Sequence, residues 1–93
     1  MANLILKDGT QQKVELTFLD LYKFEQEKPA LAEKYFGIQR KDSVNELDMV
    51  EVLRIAYIAT VGKDVSFEDF CGMISNNRIE VITCYSDLLN PKN

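Results

Sequence analysis

The side chains that could carry chemistry are few. The 93 residues include two cysteines, Cys71 and Cys84, and no histidine. A nucleophile needs a base beside it, so a cysteine or serine here would depend on Lys, Asp or Glu. With no C-x-x-C and no Cys–His pair, the ligand spacings of zinc sites are absent. The two cysteines read as small buried or half-buried apolar residues in a reducing compartment. The adjacent carboxylates Glu68 and Asp69 fall in the first turn of a helix, where they complement the helix dipole. Gly9, Gly37, Gly62 and Gly72 are too scattered to build a phosphate-binding loop. Eleven basic residues, spread among fifteen acidic ones for a net charge of −4, form no nucleic-acid patch. The basic residues of "IQRKD" read as a solvated linker. Without histidine the usual acid–base group at neutral pH is missing. The expectation is a protein that is not an enzyme and takes no cofactor or metal.

The elements that position these residues follow from periodicity. "NLILKDGTQQKVELTF" reads as a β-hairpin over about residues 3–17, with two alternating runs either side of Asp8-Gly9, a pair suited to a primed two-residue turn. A lone hairpin is marginal in water, so it must lie on something apolar. Thr17 with Asp20 opens a helix over about 18–28. Pro29 begins a second over 29–37, which Gly37 ends as a C′ residue. Ser43 with Glu46 forms a capping box for the third, residues 44–61, which is apolar over most of its girth and therefore central. Gly62 ends it. Ser66 caps a short helix over 66–75 that carries Phe67, Phe70, Met73 and Ile74. Asn77 with Glu80 starts the last, 77–90, whose apolar face is Ile79, Ile82, Tyr85 and Leu89. The expected fold is mainly α with an N-terminal β-hairpin (α+β): one domain over 1–93, a small bundle of about four or five helices packed on the hairpin. "MAN" leads directly into a strand-like run, so no signal peptide is expected, and no apolar stretch reaches the length of a membrane span.

Aromatic residues are the remaining candidates for function. Nine are present, and Phe18, Tyr22, Phe24, Tyr35 and Phe36 crowd into nineteen residues. Rings at helical spacing usually pack inside. A domain this small cannot readily bury every large ring, so at least one of the five should stand exposed as an interface residue. The expected partner-binding residues are Tyr22, Phe24, Tyr35 and Phe36, with Ile82, Tyr85 and Leu89 beside them.

Four stretches, in this order, resemble the phage tail assembly chaperones. "VELTFLDLYKFEQEKPALAEKYF" resembles their opening strand and Pro-interrupted helices, and "NELDMVEVLRIAYIATV" their central helix. "VSFEDFCGMI" resembles their S-[YF]-E-[ED]-F turn and helix, and "LLNPKN" their C-terminal L-x-N-P-K. Departures are Lys28 before Pro29, where Asn is commoner, and Cys71-Gly72, where a Leu-Glu pair is usual. Gly72 should weaken its helix by roughly 1 kcal/mol relative to alanine.

The resemblance implies the short form of a tail assembly chaperone from a long-tailed phage (siphovirus) or prophage. Such a protein acts in the host cytoplasm and is absent from the mature virion. Its expected partners are the tape measure protein, which it shields, the tail tube protein, which it helps recruit, and other copies of itself by self-association. No nucleic acid and no membrane are expected as partners. The family also makes a longer form by a −1 ribosomal frameshift, and Pro91-Lys92-Asn93 can be encoded by a slippery run, so Asn93 would mark the boundary between the two forms. Fraying of the last helix into a short exposed end is the simpler account of the same residues. Two other functions remain open: a structural tail or connector component, and a small regulatory protein acting on a host target.

Overall fold

The computed structural model describes residues 2–90. Pro91, Lys92 and Asn93, which carry the frameshift expectation, lie outside the described residues. Strands β1 (Ala2–Ile5) and β2 (Gln11–Val14) pair antiparallel, with Ala2 opposite Val14 and Leu4 opposite Gln12. Ala2, Leu4 and Val14 point into the core, while Asn3 and Lys13 face outward. The connection is not the expected primed turn. The Gly9 N–H donates to the Leu6 carbonyl at 2.9 Å and the Leu6 N–H to the Thr10 carbonyl at 2.8 Å. Within the loop Gly9 takes a positive φ, +90°, and Asp8 does not. This is a three-residue loop closed by a glycine in the left-handed region, and it leaves Asp8 unstrained. The Asp8 carboxylate accepts from the hydroxyl (2.7 Å) and amide (3.0 Å) of Thr10, which lowers its pKa.

Five helices follow: α1 (Phe18–Glu27), α2 (Pro29–Gln39), α3 (Glu46–Val61), α4 (Phe67–Met73) and α5 (Arg78–Leu89). Thr17 and Asp20 form the expected capping box of α1. Lys28 leaves the helical region, as a residue before proline tends to, and Pro29 stands at the start of α2. Helix α2 runs through Gly37, because two further residues add the buried Ile38 to the core. The capping box of α3 is Asn45 with Asp48, two residues beyond the expected Ser43 and Glu46. The Asp48 side chain is also bound by Lys41 at 2.8 and 3.0 Å, a pairing that outlies local sequence rules. Gly62, φ +82°, closes α3 with its N–H on the Ile58 carbonyl.

Ser66 caps α4 as expected, but the helix ends at Met73. Ile74 instead bridges Leu6 of the hairpin. The Lys7 N–H donates to the Met73 carbonyl and the Ser75 N–H to the Ile5 carbonyl. Backbone pairing with the open edge of the hairpin outcompetes a last helical turn here. Asn77 caps α5, but Glu80 does not close the box. Its carboxylate accepts from the Ser75 hydroxyl at 2.6 Å, and Ser75 in turn accepts from the Asn77 N–H.

Helix α3 is the centre. On one side Val52, Leu53 and Ala56 pack with Leu4, Val14, Phe70, Cys84 and Leu88 from the hairpin, α4 and α5. On the other, Ile55 and Ile58 pack with Phe24, Leu31 and Ala32 from α1 and α2. The expected α+β class, a hairpin followed by a helical bundle, is the one observed.

Candidate interaction surface

The tertiary structure sorts the expected contact residues into different environments. Tyr22 lies 59% exposed on the outer face of α1, next to Leu19 at 60% and Phe18 at 90%. Positions 18, 19 and 22 share one helical face, so α1 presents an apolar patch to solvent. Phe24, on the opposite side, is buried at 8% against Ile55 and Ile58. The packing gives it a core role and corrects the expectation of a contact residue there. The reason is geometric: residues 18, 21 and 24 read as one stripe in sequence, but α1 turns Leu21 and Phe24 inward and leaves Phe18 outside.

Tyr35 and Phe36 are both half-buried and meet edge to face, with centroids 5.3 Å apart. Phe36 packs on the smaller cluster, and Tyr35 touches both clusters. Burial, then the nearby Tyr85, raises the Tyr35 pKa. Tyr85 is half-buried and its hydroxyl accepts from Gln39 at 3.5 Å. Tyr35 and Leu89 come together in a groove of about 410 Å³, completed by Leu16, Phe18, Leu21 and Leu88.

Helix α5 is rotated relative to its expected face. Cys84 and Leu88 are buried, with Val81 and Tyr85 packed beside them. Ile79 at 75% and Ile82 at 42% face outward. Thus two patches of large apolar side chains are exposed, on α1 and on α5. Leu47, 64% exposed near the start of α3, is a further exposed apolar residue outside both patches. Sequence reasoning placed Ile82 among the contacts and Phe18 among the five rings of which at least one should be exposed, but assigned no such role to Leu19, Ile79 or Leu47. The available signal was the excess of apolar residues at helical spacing beyond one stripe per helix.

Nothing in the thiol environments favours nucleophilic chemistry. Burial, then the charge of Asp87, pushes the Cys84 thiol up to about 11, and Cys71 is also raised, by burial and then by Glu51. Both thiols are therefore protonated at neutral pH. Among the described residues, no group of three or more His, Cys, Asp or Glu could hold a metal ion, and no helix is long and apolar enough to cross a membrane. Ion pairs knit the surface between elements: Arg78 with Glu46 at 2.8 Å, and Lys28 with Asp64.

No known protein family, characterised protein or solved structure matches this chain.

Proposed function

We propose that this chain is a non-enzymatic tail assembly chaperone that shields an aggregation-prone tape measure protein. The observation that carries the reading is the apolar surface of α1. Phe18, Leu19 and Tyr22 stand out from a domain whose core is already closed without them. Large exposed side chains on one face mark an interaction surface. The likeness of the quoted motifs to those chaperones supplies the identity of the partner. A tape measure without its tube is a long chain with apolar seams. Many small copies, each contributing one modest patch, cover such a chain through avidity, and each stays weak enough for tube subunits to displace. On this reading the protein self-associates along its client, acts in the host cytoplasm and is left out of the virion. On this reading it also helps recruit tail tube subunits around the client.

Co-expression tests the proposal. A tape measure protein produced with this chain should remain in the soluble fraction. With Phe18→Ser and Tyr22→Ser together it should pellet, while the circular dichroism of the variant chaperone stays unchanged. A client whose solubility is indifferent to the unaltered chain would sink the chaperone reading.

A further inference from the structure

A cleft of about 640 Å³ opens between α2 and the first half of α3. Ile38, Leu47 and Phe67 form its apolar wall, and Lys34, Lys41, Asp48 and Glu51 its polar one. Glu51 is the unusual member. It is 7% exposed, the one buried charged residue among the described residues. Its Oε1 accepts from the Arg54 guanidinium at 2.7 Å, and the Lys34 ammonium stands 3.8 Å away, too far for a hydrogen bond. Its Oε2 is buried with no partner. A carboxylate has about four lone-pair positions to satisfy, and here one short hydrogen bond serves the whole group. Such a group is costly to bury and is normally given more donors. The Arg54 Nε donates to the Val65 carbonyl at 2.7 Å rather than to Glu51.

Charge decides which donor suits the cleft. Lys41 is engaged with Asp48 at 2.8 Å and Arg54 with Glu51. Lys34, 61% exposed, adds one positive charge beyond these two pairs. An incoming ammonium or guanidinium would meet Lys34, and an incoming carboxylate would meet Glu51. A carboxamide suits both neighbours, because its NH2 donates and its carbonyl accepts. Glu51 and Lys34 both line the cleft, and Lys34 is long and exposed enough to adjust around a carboxamide seated between them.

We infer that the α2–α3 cleft binds a glutamine or asparagine side chain carried on an apolar segment of a partner polypeptide. The carboxamide donates to Glu51 and accepts from Lys34. Its apolar neighbours rest on Ile38, Leu47 and Phe67. This surface is distinct from the exposed face of α1, so the inference stands independently of the tape-measure reading.

The test is a titration of the full, isotope-labelled chain with three capped amphipathic peptides, identical except for a central Gln, norleucine or Arg. The Gln peptide should bind about tenfold more tightly than the norleucine peptide. The Arg peptide should gain nothing, and amide shifts should centre on Lys34, Ile38, Leu47 and Glu51. Equal affinities, an Arg peptide that ranks first, shifts centred elsewhere, or no saturable binding at roughly millimolar peptide would each overturn the inference. Glu51→Gln should abolish the preference for Gln while sparing the norleucine peptide. If that variant does not fold, the ranking of the three peptides on the unaltered chain decides alone.

Discussion

The two sides of α3 are closed in different ways. Toward the hairpin, the seal is made by residues far apart in sequence. Leu6 bridges Ile74, β1 packs on α5, and Val14, Val52, Leu53, Ala56 and Phe70 are completely covered. Toward α1 and α2, the cover is a local helix pair jointed at Lys28-Pro29, and its outer face still carries Phe18, Leu19 and Tyr22. The first side concentrates the long-range contacts that define global stability. The second has fewer, and regions of that kind open at lower free energy and supply binding surfaces. Of the two exposed apolar patches, the one with three large side chains lies on this second side, on α1, and the smaller, Ile79 with Ile82, on α5.

The largest effect should come from breaking the sealed side. Phe70→Ala removes a completely buried ring and should cost about 3–5 kcal/mol, a large share of the stability of a small domain. Phe24→Ala, in the smaller cluster, should cost visibly less in the same urea titration. Equal costs would show that the two sides form one cooperative unit of uniform stability.

The cysteines sharpen the same contrast by pH. Cys84 sits in the main cluster and Cys71 packs against its rim. The Cys84 pKa is raised from 9.0 to about 11. Because the folded value lies above the unfolded one, the fold favours the thiol, and the stability this gives is complete below about pH 9. It is lost as pH rises from there through about 11. Denaturation midpoints should fall across that window, and Cys84→Ala should flatten the fall. A thiol reagent at mildly alkaline pH should label Cys71 first. Prior labelling of Cys84 would mean that the sealed side opens more readily than the packing implies.

The smallest effects come from the caps. Thr17→Ala and Asn45→Ala each remove a side-chain cap and should each cost about 1 kcal/mol locally. In hydrogen exchange, Thr17→Ala should accelerate α1 amides alone, whereas Asn45→Ala should lower protection throughout α3 and its neighbours. Ser43→Ala should change stability by less than about 0.5 kcal/mol, since Asn45 carries the cap.

The elements themselves were legible in the sequence. Capping chemistry, the Lys28-Pro29 joint and the Gly62 stop act over a few residues, and each forms close to its expected position. The central role of α3 was equally plain, because an apolar surface around most of a helix must be covered on several sides. Errors arose where distant residues intervened. The last turn of α4 was lost to backbone pairing with the hairpin, and Gly37 was carried through by the burial of Ile38. Asn45 rather than Ser43 capped α3, with Lys41 reinforcing its partner Asp48.

The contact surface was less legible for the same reason. Helix α5 offers two apolar stripes at helical spacing, Ile79 with Ile82, Tyr85 and Leu89, or Val81 with Cys84, Tyr85 and Leu88. Periodicity does not distinguish them. The fold buries the second, which places the small Cys84 at the closely packed contact with the hairpin and α3. In α1, Phe18 and Phe24 look equivalent in sequence, and only docking against Ile55 and Ile58 makes one core and the other surface. The sequence by itself determined the elements, their caps and the central helix, because those depend on interactions a few residues long. Which face each outer helix turns inward, and hence which rings are free to meet a partner, was decided only by tertiary structure. That choice is made by the shape of neighbours that the chain brings together from a distance.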